Sequence, residues 1–384
     1  MKRITSIDVT RGIVMIIMAL DHTRDLLHTD SLTQQPTDLT TTTPLLFFTR
    51  FITHLCAPTF VFLAGVSAFL SCRKEENVSV NRNFLLSRGL ALLIMEFTIV
   101  NFSMFFDLHF QIFLFEVIAA IGFGFMVLAL MLRLPPVVIG LCGLLIFCLH
   151  DLVPLIPFSQ DSMFQKILMS LFLPGAFPFG SDKLFIMSYT PVPWLGMLLL
   201  GFWLGKLFLL PQPQKRTYFV RIGISSIALF FVLRLFNRYG DFPWATQKSN
   251  VLTFLSFFNV TKYPPSLQFG LLMLGSMFII LYCVEGVTNR LTAIASVYGK
   301  VPLFYFIVHW YILHSFLFII VFLEGYHFSD LVFGFNFGRP KGPSGVSLPI
   351  VYLLWLCVVV IMYPLCKWYG SVKQNSSIKW LRYL

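Results

Sequence analysis

The stretch GIVMIIMALDHTRDLLH, residues 12–28, begins with nine uncharged residues and ends with five ionisable groups in eight positions: Asp21, His22, Arg24, Asp25 and His28. Charges gathered at one end of an apolar run mark the place where a helix leaves a bilayer. Comparable runs of about 20 apolar residues recur along the chain, the length needed to cross a membrane as a helix. Composition agrees. The 384 residues are 57% apolar and only 12% charged, against roughly 25% charged in ordinary soluble domains. With a mean hydropathy of +0.80, such a chain has too little polar surface to face water on all sides. A β-barrel would alternate polar and apolar positions over segments of about ten residues, which this chain does not do. The reading is an all-α, polytopic membrane bundle forming one domain over residues 1–384.

Ten spans are predicted, near 12–29, 52–72, 84–103, 109–132, 136–153, 191–210, 218–236, 266–286, 301–323 and 347–367. The first run is followed by charges rather than a small-residue cleavage site, so it reads as a retained span. The longest connection, 154–190, has turn signals at Pro154, Pro157, Pro174, Gly175, Pro178 and Gly180, with room for an interfacial helix at Met163–Phe172. A second loop, 324–346, holds GRPKGPSG (338–345), which reads as a solvent turn segment. The seven cysteines are scattered with no CxxC pair, so neither a disulfide framework nor a zinc site is expected. No metal cluster, P-loop, GxSxG or dinucleotide fingerprint is present.

Orientation follows from lysine and arginine, which favour cytoplasmic loops. With both termini inside, 18 of the 28 basic residues fall on the inner side, whereas eleven acidic residues fall outside and four inside. The formal charge of +11 is therefore a signature of topology. It is split among short loops without a basic stripe, so nucleic acid is not an expected partner; the lipid bilayer is. In this topology all eight histidines lie at mid-membrane or on the outer side, which places polar chemistry in the outer half.

A charge at the bilayer centre costs about 2.5–3.5 kcal/mol, so intramembrane ionisable groups are candidates for function. Arg11 and His22 are eleven residues apart, roughly 20° apart around a helix and ~16 Å apart along it. Asp25 follows His22 by three residues on the same side. An imidazole beside a carboxylate is the usual arrangement of a general base. Asp21, Arg24 and His28 form an adjoining arc. The plain alternative is a salt-bridged helix end. Arg50 and His54, at i and i+4, open the second span before LCAPTFVFLAGVSAFL (55–70), whose small residues permit close helix contact. Glu96 and Glu116 lie in the third and fourth spans and are read as structural hydrogen-bonding groups. Tyr263-Pro264-Pro265-Ser266 reads as a rigid helix start. HWYILH (309–314) carries two histidines about 140° apart on one helix, so they cannot share a metal from one face, although one can line a cavity.

RITSIDVTRGIVMIIMALDH (3–22) resembles the opening of the heparan-α-glucosaminide N-acetyltransferase-like membrane family and the wider group of transmembrane acyltransferases, including the acyltransferase-3 type. The resemblance rests on Ser6-x-Asp8-x-x-Arg11-Gly12 and on the spacing from Arg11 to His22. FVFLAG (60–65), YPPS (263–266) and GKVPLFYFIVHWYILH (299–314) support it and point to the bacterial branch. The heparan branch carries Asn at the position of His22, whereas His22 follows the acyltransferase-3 pattern; His28 is the nearest counterpart of the heparan branch's histidine.

The resemblance implies a transmembrane acyltransferase in a bacterial cytoplasmic membrane. It would take an acetyl group from cytoplasmic acetyl-CoA, as co-substrate and with no metal, to an amino sugar or glycan hydroxyl outside. It implies Arg11, with Asp8 and Arg50, as the CoA-binding set, and His22 as general base or transient acyl carrier. Asp25 would orient His22, and Asp21, His54 and His28 would complete the catalytic set. Arg24, Tyr263, Ser266 and His314 are candidate acceptor contacts, and a homodimer is compatible with this reading. The competing class is a proton-coupled transporter using Glu96 and Glu116, but inverted repeats and broken midplane helices are not evident. A purely structural subunit would leave the Arg11–His22–Asp25 face without a role.

Overall fold

The computed structural model describes residues 4–156 and 163–376. Lys2, Arg3, Pro157, Lys379 and Arg382, used above for orientation and turns, lie outside the described residues. The helices are α1 Thr5–Leu27, α2 Pro44–Thr53, α3 Cys56–Cys72, α4 Val78–Met95, α5 Asn101–Phe105, α6 Val117–Met131, α7 Pro136–Leu149, α8 Met163–Ser170, α9 Pro191–Leu204, α10 Gln212–Phe236, α11 Asn250–Phe258, α12 Leu267–Val284, α13 Arg290–Gly299, α14 Pro302–Leu323 and α15 Leu348–Asn375. Eight helical segments are long and apolar enough to cross a membrane by length and composition. The two other expected spans correspond to α1, which carries more charge, and α6, which is shorter at 15 residues. The protein is an all-α polytopic membrane bundle.

Helix starts follow local chemistry. Proline occupies the first turn of α2, α7, α9, α10, α14 and α15, where its missing N–H would be unpaired anyway. Thr43, Asn77, Ser249 and Ser266 accept hydrogen bonds from the first-turn N–H groups of α2, α4, α11 and α12. In lipid these pairings count heavily, because no water replaces them.

α1 is the axis of the bundle and touches α2, α3, α12, α13, α14 and α15. Two glycine crossings set its neighbourhood. A Cβ on Gly12 would lie 1.8 Å from the Ala295 carbonyl oxygen, and one on Gly299 would lie 1.8 Å from that of Asp8, so α1 and α13 meet backbone to backbone. Gly65 in α3 stands likewise against Leu198 in α9, and Gly201 against Phe62. The glycines of the Arg11-Gly12 and FVFLAG motifs are therefore packing surfaces, as expected of small residues between membrane helices.

Three expectations change. Residues 109–116 are not helical: β1 (Ile112–Phe115) runs parallel to β3 (Lys183–Met187), which pairs antiparallel with β2 (Gly175–Phe179). The strand is anchored by Asn101, whose side chain donates to the Ile112 carbonyl at 2.6 Å and accepts from the Leu114 N–H at 3.1 Å. α6 consequently begins inside the bundle, where buried Glu96, in a π-helical turn at Glu96–Val100, accepts the Ala119 N–H at 2.8 Å. The expected second span breaks at His54–Leu55 into α2 and α3. Finally, GRPKGPSG is not a free solvent segment. β4 (Leu331–Val332) pairs with β5 (Arg339–Pro340), and Arg339 is buried. Its guanidinium donates to the His28 carbonyl at 2.9 Å, to Ser31 Oγ at 2.8 Å and to Ser344 Oγ at 3.1 Å, strapping this loop across the end of α1. The interfacial helix expected at Met163–Phe172 is α8.

Candidate active site

Two cavities lie at opposite ends of α1. The first, about 620 Å³, is lined by Asp8 and Arg11 of α1 together with Lys74, Arg88, Lys300 and Lys373: five cations and one carboxylate. All five belong to the set that charge bias placed on the inner side. Ile4 and Lys373 both line it, so the two ends of the described chain share one side of the bundle. Arg11 is held against α3 by hydrogen bonds to the Leu63 carbonyl at 2.9 Å and Ser67 Oγ at 2.6 Å. Its charge is thereby fixed at the cavity wall.

The second cavity, about 280 Å³, is lined by Asp21, His22, Arg24 and Asp25 of α1 and by His28 just past its end, with Arg50, Glu116, Tyr189, Lys262 and Tyr263 from other elements. Phe60, Val117 and Phe306 line both cavities, so these three apolar side chains stand between the two spaces. His22 stands edge-on to Phe306, with ring centroids 5.9 Å apart.

Helix α1 divides its charges between structure and cavity. Buried Asp21 accepts from Thr53 Oγ1 at 2.8 Å, pairs with Arg24 at 2.8 Å and with Arg50 more closely still. Asp21 is the hub of an ion cluster that fastens α1 to α2. Arg24 also pairs with Asp25, whose side chain is 47% exposed. The carboxylate of Asp25 therefore goes to Arg24 and does not orient His22. The ring of His22 is held instead by α14: its Nδ1 lies 2.6 Å from Nε2 of His309, and Trp310 stacks on it at 4.5 Å. His28 sits at the rim of the cavity. Lys262 lies over the faces of Tyr263 and Tyr189, at 5.0 and 5.5 Å from the ring centroids. Burial, reinforced by Tyr263, pushes the Tyr189 phenol up.

Several sequence candidates move. Arg50 lines the second cavity with Asp21 and is not part of an Arg11–Asp8 set. His54 lies off both cavities, packed at 5.5 Å against Phe269, because the helix break at His54–Leu55 leaves Thr53 rather than His54 beside Asp21. Ser266 caps α12 and donates to Asp241 at 2.7 Å. His314 is fully buried, with Nε2 donating to the Met104 carbonyl at 3.0 Å. Tyr263 does line the cavity. Sequence reasoning missed His309, Trp310, Lys262 and the residues shared by the two cavities. HWYILH signalled that one histidine could face inward, but helix rotation decides which. All seven cysteines are free. Among the described residues, no group of three metal-ligating side chains is close enough to hold an ion.

Cations lining the cavity at one end, an imidazole at the other and apolar side chains shared by both spaces suit group transfer across the bundle. Comparison with known proteins bears on this directly. Residues 3–234 match the family described as heparan-alpha-glucosaminide N-acetyltransferase, catalytic. No curated protein matches the chain.

Proposed function

The chain belongs to the heparan-α-glucosaminide N-acetyltransferase catalytic family, and from that premise we propose that it moves an acetyl group from cytoplasmic acetyl-CoA to an amino sugar or glycan hydroxyl on the far side of the membrane. That it is an integral membrane protein of the acetyltransferase type follows from the family and the apolar helices. The donor, the sidedness and the acceptor are the proposal, as is its placement in a bacterial cytoplasmic membrane.

The observation that carries it is that a cation-lined cavity and a histidine-bearing cavity share the lining residues Phe60, Val117 and Phe306. Arg11, Lys74, Arg88, Lys300 and Lys373 supply the field that holds the CoA phosphates. Cavities of 300–1,000 Å³ are the usual size for such ligands, and the inner one, at about 620 Å³, falls within that range. The acetyl end then reaches these three side chains, with His22 just beyond them. His22 takes the acceptor's O–H or N–H proton as the acceptor bonds to the acetyl carbonyl carbon. The thioester C–S bond breaks, and His22 returns the proton to the departing thiolate. Tyr263, Lys262 and Glu116 line the space left for the acceptor. Glu96 caps α6, which gives it a structural task in place of the proton-carrier role a transporter would need.

The test is CoA release by the detergent-purified protein given acetyl-CoA, with and without glucosamine or glycan fragments. Acceptor-dependent release that disappears in His22→Ala, in a variant that melts like the parent, is expected. Full activity in that variant would remove His22 from the reaction. No release with any acceptor, together with no stabilisation by acetyl-CoA, would remove the transferase reading.

A further inference from the structure

We propose that His309 is a positioning residue that fixes which nitrogen of His22 meets the acceptor, an inference that rests on His22 acting as the base. His309 lies outside the segment that matches the family, residues 3–234, and is fully buried in α14. Its Nδ1 is 3.0 Å from the Tyr305 carbonyl oxygen. A carbonyl only accepts, so this nitrogen carries the hydrogen. In a neutral ring the other nitrogen, Nε2, is then an acceptor. That atom lies 2.6 Å from Nδ1 of His22, so His22 must donate there. One proton arrangement satisfies the chain with both rings neutral: His22 Nδ1–H to His309 Nε2, and His309 Nδ1–H to Tyr305. It leaves the lone pair of His22 on Nε2, the nitrogen a general base needs.

The ring's orientation is fixed as well as its tautomer. Trp310 stacks on His22 with planes 19° apart, His309 meets it edge to edge with planes 25° apart, and Phe306 closes another edge. Proton uptake at Nε2 makes His22 a cation, and its Nδ1–H bond to the neutral His309 becomes charge-assisted and stronger. The hydrogen-bonded carboxylate of a serine-protease triad performs the same two tasks, where loss of the correct tautomer lowers turnover by about 10⁴.

The experiment pairs two substitutions with a readout that needs no activity. In His309→Gln the amide oxygen accepts from His22 Nδ1–H and the amide NH₂ donates to Tyr305. Turnover is expected within roughly tenfold of the parent, because the tautomer is kept. In His309→Leu the donor KM is expected to stay within about threefold while kcat falls by about 10² or more. Selective ¹⁵N-histidine NMR of the parent should show His22 with Nε2 unprotonated and Nδ1 protonated, and His309→Leu should show a mixture. A protonated Nε2 in the parent, or undiminished kcat in His309→Leu, overturns the assignment. Absence of any transfer by the parent would remove the proposed function, and the NMR result alone would then decide the hydrogen-bond arrangement.

Discussion

Asp21→Asn, set beside Asp25→Asn, separates a buried structural carboxylate from a half-exposed one. The Asp21 side chain is 9% exposed, lies 2.8 Å from both Arg24 and Thr53, and also pairs with Arg50, whose side chain is 14% exposed. An amide keeps the bond to Thr53 but removes the only carboxylate that Arg50 contacts among the described residues. Deleting one partner of a buried ion pair costs about 3–5 kcal/mol, because the other charge is left uncompensated. The control is Asp25→Asn. Its side chain is 47% exposed and, among the described residues, pairs only with Arg24, so the expected cost is about 0–1 kcal/mol. At roughly 2 °C per kcal/mol, Asp21→Asn should melt at least about 6 °C below the parent and Asp25→Asn within about 2 °C of it, measured by intrinsic fluorescence in detergent. Adding Arg50→Met to Asp21→Asn should recover part of the loss, since the stranded cation is then gone. Equal melting of Asp21→Asn and Asp25→Asn, or no recovery in the double variant, would refute the reasoning.

Four other substitutions probe the remaining architecture. Gly12→Val places a side chain where a Cβ alone would be 1.8 Å from the Ala295 carbonyl oxygen, so the variant should fail to give a monodisperse peak on size exclusion. His54→Phe, packed between Phe51 and Phe269 and away from both cavities, should keep at least about half the parental transfer rate, because an aromatic of similar size refills the site. Lys74→Ala and Lys300→Ala should each raise the KM for acetyl-CoA about fivefold with kcat unchanged, as expected for loss of about 1 kcal/mol of ground-state charge attraction. The effect should shrink at high salt.

How much of this was legible in the chain can be argued from particular residues. The spans were readable because hydrocarbon imposes apolar runs of one length. They shifted where tertiary pairing overrode hydropathy. Ile112–Phe115 is apolar enough for a helix, but Lys183–Met187 takes it as a strand, and those partners are about 70 residues apart. α1 begins at Thr5, well before the predicted start at residue 12, because its first turns carry the polar Ser6-x-Asp8 motif that hydropathy discounts. Arg11 and His22 do share one helix and line different cavities, since eleven residues on one helix fix a direction whatever surrounds it. Contacts between helices were not legible. Asp25 stands one turn from His22, yet its carboxylate goes to Arg24, and the partner that holds the imidazole comes from 287 residues away. The choice between His309 and His314 depends on the rotation of α14, which a helix apolar on every side does not reveal.

The central claim is that acetyl passes from one side of the membrane to the other past the side chains shared by the two cavities. It is tested most directly with sealed proteoliposomes of known orientation, holding amino-sugar acceptor inside and receiving radiolabelled acetyl-CoA outside. The account predicts that label accumulates on the enclosed acceptor only in vesicles whose α1 N-terminal end faces the donor, and that His22→Ala abolishes it. Transfer that occurs only when donor and acceptor share one compartment would contradict it.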